Sequence, residues 1–248
     1  MTHPIAVVLA AGKGTRMESD LPKVLVKAAG RSLVEYVLDA LSDAGVDESI
    51  VVVGYRGEDV KQTLGERGSV RFAEQTEQLG TGHAVKMCMP LLEGHDGPVL
   101  VLTGDSPMTQ ASSLRQLLEE YEAERPACIL GTLIKEDPTG LGRIVRDRDG
   151  EFRAIVEEKD ASEDERAIQE VNMSTYIFDC KSLLSSLREL KNDNRQGEYY
   201  ITDCPGILQA AGKVVKASPV LKPCEALSVN NMQDLRVVED ELKRSHVL

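Results

Sequence analysis

The sequence predicts an α/β fold built on a doubly wound, mostly parallel (mixed) sheet, and three observations carry that prediction. Short, wholly apolar runs at 5–9 (IAVVL), 50–53 and 99–102 have the composition of strands buried on both faces. Segments with helical periodicity, above all 33–41 and 111–124, alternate with them. A glycine-rich stretch follows the first run directly, at the strand end where such sheets receive ligands.

The elements follow in order. Leu33, Val34, Val37, Leu38 and Leu41 recur at helical spacing, and Gly45 stands where a C-terminal cap belongs. Strands are expected at 50–53 and 70–73, then a helix over 82–92 that Pro90 bends or ends. The strand at 99–102 runs into Gly104-Asp105, and helix 111–124 and strand 127–134 complete this half. Segments 144–146 and 152–156 flank a turn at 147–150 and read as a hairpin. A strand at 170–178 and a helix at 181–191 come next. Thr202-Asp203 suits the cap of a helix reaching Ala211, with Pro205 tolerated in its first turn. The terminal segment 231–244 is amphipathic, with Leu235, Val238 and Leu242 on one side. With no repeat, low-complexity tract or linker, a single Rossmann-like domain over 1–248 is expected, its second half inserting a small β-rich lobe into the sheet.

Composition narrows the function. Hydrophobic residues are 42% and charged residues 28% of 248, enough apolar material for a core that needs no staple. The net charge of −12 opposes binding to nucleic acid or to an anionic membrane surface, but not to a small anion where basic groups and backbone amides gather. Tryptophan is absent and aromatics are 4%, which argues against stacking on single strands. Five scattered cysteines, none in a CxxC pair, fit a reducing compartment rather than a disulfide framework or zinc site. The opening MTHPIAVVLAAG lacks the charged start of a signal peptide, and no apolar run approaches the roughly 18 residues that span a bilayer. A cytoplasmic protein is expected.

The stretch Leu9-Ala10-Ala11-Gly12-Lys13-Gly14-Thr15-Arg16-Met17 has the small residues that let backbone amides approach phosphate. It lacks Walker spacing and the third glycine of a dinucleotide fingerprint, so it is a different phosphate loop. Arg16 and Lys23 add two cations just beyond it, which suits phosphoryl-type transfer, a chemistry of charge placement. The plain alternative is a glycine-rich turn with two surface cations. Asp105, ending an apolar strand, faces the ligand crevice, and one carboxylate plus phosphate oxygens is a common Mg²⁺ arrangement. Alternatively Asp105 starts a turn before Pro107. The histidines (His3, His83, His95, His246) are too dispersed for a metal cluster.

Eight motifs occur in order: LAAGKGTRMESDLPKVL (9–25), QLGTGHAV (78–85), GDSPM (104–108), PTGLGRIVR (138–146), IVEEKDA (155–161), EVN (170–172), QGEYYITD (196–203) and VNN (229–231). Together they resemble the sugar-phosphate nucleotidyltransferases, in particular the uridylyltransferase domain of the bacterial bifunctional enzyme that makes UDP-N-acetylglucosamine, over about residues 5–240. The resemblance implies Mg²⁺ held by Asp105 and Asn230; Asn231 can cap the final helix, which would leave Asn230 for the metal. It implies Arg16 and Lys23 as catalytic cations, and a nucleotide site of Leu9, Ala10, Ala11, Gly12, Gly14, Gln75, Gln78, Gly80 and Thr81, with Gln75 reading the pyrimidine edge. It implies sugar contacts from Gly140, Glu157 and Asn172, with Glu198, Tyr199 and Thr202 nearby. The substrates would be UTP and N-acetylglucosamine 1-phosphate, with 1–135 as nucleotide-binding half, 136–230 as sugar-binding half and 231–248 as C-terminal helix.

Two departures stand out. Asn172-Met173-Ser174 replaces the Asn-Thr-Gly common in the family, which adds bulk beside the expected sugar pocket. The hexapeptide repeats of the bifunctional relatives are absent from these 248 residues, so neither their acetyltransferase step nor their oligomeric state carries over. A transferase using another sugar phosphate or nucleotide, and a non-catalytic nucleotide-sugar sensor, are the competing readings; the sensor predicts loss of at least one of Arg16, Lys23, Asp105 and Asn230, and all four are present.

Overall fold

A computed structural model of the protein describes residues 3–14, 17 and 20–244. Its first strand, β1 (Ile5–Ala10), is an interior strand of the sheet, paired on both sides. After a two-stranded ribbon, β2 (Lys27–Ala28) and β3 (Arg31–Ser32), comes helix α1 (Leu33–Asp43). Glu35 reaches back to the Ser32 N–H at 2.9 Å to close its start. At its end Gly45 takes φ +86°, and the N–H groups of Gly45 and Val46 bond the Ser42 and Leu41 carbonyls at 2.9 Å each, a Schellman ending.

Strand β4 (Glu48–Val53), helix α2 (Gly57–Leu64) and strand β5 (Val70–Glu74) follow. The helix expected over 82–92 is two pieces, α3 (Thr81–Lys86) and α4 (Met89–Leu92). Pro90 sits in the first turn of α4, where its missing N–H costs nothing, so the break falls just ahead of it. Next come β6 (Pro98–Thr103), α5 (Ala111–Glu124) and β7 (Cys128–Ile134). The expected hairpin is β8 (Arg143–Arg146) with β9 (Phe152–Val156), turned by Asp147, whose Oδ1 accepts from the Asp149 and Glu151 N–H groups at 2.9 and 3.0 Å. The chain then forms α6 (Glu163–Arg166), β10 (Glu170–Asp179), α7 (Cys180–Glu189), α8 (Asp203–Ala210), β11 (Val215–Ser218) and α9 (Met232–Arg244). Thr202 stands at the N-cap of α8, but its side chain makes no capping bond there.

The sheet order is β11-β7-β10-β6-β1-β4-β5, with β8 and β9 attached beside the start of β10. Among the described residues β10 alone runs against the other strands of that path. Side chains alternate between two cores. Ile5, Val7, Ile50, Val52, Val99 and Val101 pack with Val85, Leu92, Leu183 and Leu187 on one face. Ala6, Val8, Val51, Val53, Leu100 and Leu102 pack with Val34, Leu41, Val60 and Leu117 on the other. Both sheet faces are therefore covered by helices, which is why these strands read as unbroken apolar runs. A third cluster seats Leu235, Val238 and Leu242 of α9 on Ala28, Leu33, Tyr36 and Met108.

The five cysteines are unpaired thiols, and burial pushes the Cys88 thiol up to about 12. No helix among the described residues is long and apolar enough to cross a membrane.

Candidate active site

The parallel register places the carboxyl ends of β1, β4 and β6 side by side, with Ala10 opposite Val53 and Leu9 opposite Thr103. Loops 11–14, 54–56 and 104–108 therefore leave from one edge. They are stitched together there: the Leu9 carbonyl accepts from the Gly104 N–H at 2.9 Å, and the Ala11 carbonyl from the Tyr55 N–H at 3.1 Å. Gly14 takes φ +68°, and a β-carbon on it would lie 2.7 Å from Lys23 Cβ, so only glycine lets the lysine stem lie against the loop. Gly12 is exposed, with nothing within 4 Å of where its side chain would be. Arg16 lies outside the described residues.

At this edge Lys23, Asp105 and Asn230 meet. The Lys23 ammonium donates to the Asp105 carboxylate and, at 2.8 Å, to Asn230 Oδ1. The lysine and aspartate side chains are only 15% and 21% exposed, so the pair is partly withdrawn from solvent screening. Asn231, not Asn230, caps α9: its Oδ1 accepts from the Gln233 and Asp234 N–H groups at 2.8 and 3.0 Å. The Asn230 amide is instead turned by its Nδ2 donating to Ser228 Oγ at 3.2 Å, which aims Oδ1 at the lysine. Two oxygen acceptors thus converge on one cation, and the ammonium stands where any cation would be drawn. A carboxylate and an amide carbonyl suit a hard, oxygen-seeking divalent ion that takes its remaining ligands from water and phosphate. The residues present fit Mg²⁺. No group of three or more His, Cys, Asp or Glu side chains forms another candidate among the described residues.

Gln75, at the end of β5, is buried, with 3% exposure. Its Nε2 donates to the Gly80 carbonyl at 3.1 Å and lies 3.1 Å from His83 Nδ1. Segment 78–81 is held in turn by 199–201: the Tyr199 N–H donates to the Leu79 carbonyl, and the Gly82 N–H to the Tyr199 carbonyl, both at 2.8 Å. The Ile201 N–H donates to Thr81 Oγ1 at 3.1 Å. Gln78 approaches the first loop across Gly54, where a β-carbon would come within 2.9 Å of both Ala11 and Gln78 Nε2.

Beyond lies a cleft of about 830 Å³, whose walls include Leu9, Thr81, Gly140, Glu157, Asn172 and Thr202. Thr103 also lines it, two residues before Asp105, so the cleft adjoins the cation site. The antiparallel entry of β10 brings Asn172 to this edge rather than to the far one, since Tyr176 pairs with Val101. Asn172 donates to the Tyr176 hydroxyl at 2.9 Å and accepts from the Ser174 N–H at 3.2 Å. Ser174 occupies left-handed backbone, φ +53°, where the register slips between Asn172 and Thr175. That explains why a glycine suits the position elsewhere. Burial, then the nearby charges of Asp160 and Asp203, hold the Glu157 carboxyl above the usual carboxylate range. Glu198 and Tyr199 do not line the cleft, unlike Tyr200 and Ile201. The Tyr199 ring instead stacks on His83 at 6.2 Å, with the Lys86 ammonium 4.2 Å from its centroid.

Residues 6–202 match the MobA-like NTP transferase domain. The chain belongs to that family. Curated relatives named bifunctional protein GlmU include those of Exiguobacterium sp. (46% identical over 96% of this chain and 52% of the relative) and Brevibacillus brevis (45% over 96% and 51%). The chain thus spans about half the length of the curated relatives it matches. A UDP-glucose pyrophosphorylase complexed with UDP-glucose superposes with TM-score 0.78 over 99% of this chain and all of its own, at 17% identity. A chain from Bacillus anthracis assigned as a glucose-1-phosphate thymidylyltransferase does so over 96% and 94%, also at TM-score 0.78 and 17%. These two establish the fold.

Several residues at this candidate site carry no local signal in the sequence. Gly54, the narrow point between two loops, looks in sequence like any strand-ending glycine. Lys159, Asn194, Arg195 and Gln196 also line the cleft. Asn194 and Arg195 lie in a polar run just ahead of the 196–203 motif that Gln196 opens; Asn194 orders it by accepting from the Gln196 and Glu198 N–H groups at 3.1 and 3.2 Å.

Proposed function

We propose that the chain transfers UMP from UTP to N-acetylglucosamine 1-phosphate, giving UDP-N-acetylglucosamine and pyrophosphate. The reading is carried by the convergence of Lys23, Asp105 and Asn230, residues far apart in sequence, at the carboxyl edge of the central strands. The ordered motifs and the near-complete coverage of the chain by GlmU relatives support the choice of substrates.

The acceptor phosphate is already ionised, so no base is required. One of its oxygens attacks the α-phosphorus of UTP in line; the new P–O bond forms as the bond to the β-phosphate oxygen breaks, and pyrophosphate leaves with that electron pair. Asp105 and Asn230 would hold Mg²⁺, which when bound supplies positive charge against the phosphate oxygens. Lys23, freed from its two oxygen partners, neutralises charge on the triphosphate, and Arg16 adds a second cation. Backbone amides of 11–14 face the phosphates, with Gly14 keeping the lysine close. Gln75 acts by fixing the 78–81 loop that faces the pyrimidine, since its amide nitrogen is engaged by Gly80 and His83. Gly140, Glu157, Asn172 and Thr202 orient the sugar, with residues 136–230 forming the sugar-binding half. Glu198 and Tyr199 support the loop from behind.

Pyrophosphate release with Mg²⁺, measured over a panel of nucleotides and sugar 1-phosphates, tests the reading. The fastest turnover is expected for UTP with N-acetylglucosamine 1-phosphate. Preference for another pair would give the substrate assignment to that pair, and product binding without any turnover would favour a sensor.

A further inference from the structure

We infer that Arg143 is a positioning residue for the acceptor sugar phosphate, acting through the two turns that wall the far side of the cleft; this rests on the transferase reading above. Arg143 is 1% exposed, and a guanidinium so buried persists only if its donors are met. It donates to the Leu141 carbonyl in one turn, to Glu158 Oε2 in the other at 2.6 Å, and from Nε to the Arg166 carbonyl at the end of α6 at 3.4 Å. The same Glu158 oxygen accepts from the Gly140 N–H at 3.2 Å. One planar fork therefore locks turn 138–142 to turn 157–160 and both to α6.

The first turn supplies Gly140, Leu141 and Gly142 to the cleft and the second Glu157, Glu158, Lys159 and Asp160, whereas Arg143 itself is not part of its lining. A β-carbon on Gly142 would meet Ile155 Cγ2 at 3.1 Å and Glu157 Oε1 at 3.4 Å, so the first turn lies directly against the end of β9 and the glutamate that follows it. The Arg143 hydrogen bond also holds the Glu158 carboxyl below the usual carboxylate range, keeping the lock charged. The nucleotide loops make none of these bonds. Loosening the fork should weaken the acceptor and spare the nucleotide.

Lysine keeps the charge but not the fork. For Arg143→Lys the KM for N-acetylglucosamine 1-phosphate should rise about tenfold, with the KM for UTP within about twofold of the parent. Glu158→Gln, which retains an acceptor oxygen, should be milder than Glu158→Ala. Hydrogen exchange of the unliganded chain should quicken at 138–142 and 157–166 in Arg143→Lys while the central strands stay protected. Equal rises in both KM values, or an acceptor KM within twofold of the parent, would overturn the inference. If Arg143→Lys does not fold, Glu158→Ala, at a side chain 31% exposed that also lines the cleft, decides it by hydrogen exchange of the unliganded chain: faster exchange at 138–142 supports the lock and unchanged exchange there overturns it. Absence of turnover in the unmodified chain would refute the transferase reading instead, and exchange then judges the lock alone: unchanged rates in both turns would sink it.

Discussion

Gly80→Ala is the sharpest test of how the nucleotide-side loop is built. Gly80 has φ +101° and ψ 175°, a region essentially reserved for glycine. A β-carbon would lie 2.5 Å from the Tyr199 carbonyl oxygen, 2.9 Å from Glu198 Cβ and 3.0 Å from the Tyr199 nitrogen. Two of those three neighbours are backbone, so no side-chain rotation relieves the clash. The strained dihedrals alone cost about 1–3 kcal/mol. Moving the loop to relieve the clash stretches the Gln75–Gly80 and Tyr199–Leu79 bonds, each contributing about 1 kcal/mol. A loss of about 3 kcal/mol, or roughly 6–12 °C in Tm for a chain of this size, is expected in a thermal or urea melt. Gly206→Ala provides the control: that glycine lies inside α8 with nothing within 4 Å of its missing side chain, so alanine should stabilise by about 0.5–1 kcal/mol. A Gly80→Ala variant that melts within about 2 °C of the parent would show that the 78–81 loop does not press on Tyr199.

Other expectations follow from the same geometry. Ser174→Gly removes a side chain from left-handed backbone and should raise Tm by roughly 2–4 °C, provided the Asn172–Tyr176 bond is kept; a lower Tm would show that the serine side chain stabilises the bulge more than the backbone strain costs. Burial holds the folded-state Asp203 carboxyl above its ordinary value near about 4, so its contribution is fully present below that value and is lost as pH rises through the raised one. Asp203→Asn should therefore compare more favourably with the parent at neutral pH than at pH 4 in urea unfolding, and the opposite ordering would contradict the assignment. Lys23→Ala should lower kcat with MgUTP far more than it raises either KM, as read from initial rates; an unchanged kcat would remove Lys23 from the chemistry.

Most of the fold was legible because strands buried on both faces must be apolar at every position, and helices beside them at every third or fourth. β11 was not, since Val215, Lys216, Ala217 and Ser218 form a short edge strand with no distinctive pattern. Helix α2, of mixed polarity and with Val60 and Leu64 its only buried residues, was equally faint. In the site, Asp105 could be read from its position after an apolar strand, and Asn231 from its place before an amphipathic helix. The Lys23–Asn230 contact spans 207 positions, and no local pattern encodes it. Nor could sequence tell Tyr199 from Tyr200: adjacent tyrosines look alike until one packs on His83 and the other lines the cleft.

Whether Asp105 serves a cation-centred catalytic group or only a turn is decided by turnover. Pyrophosphate release by Asp105→Ala, with Mg²⁺, UTP and N-acetylglucosamine 1-phosphate all saturating, tests it most directly. A loss of at least about a hundredfold with an unaltered circular dichroism spectrum is expected. A variant that folds normally and keeps a rate near that of the parent would contradict it.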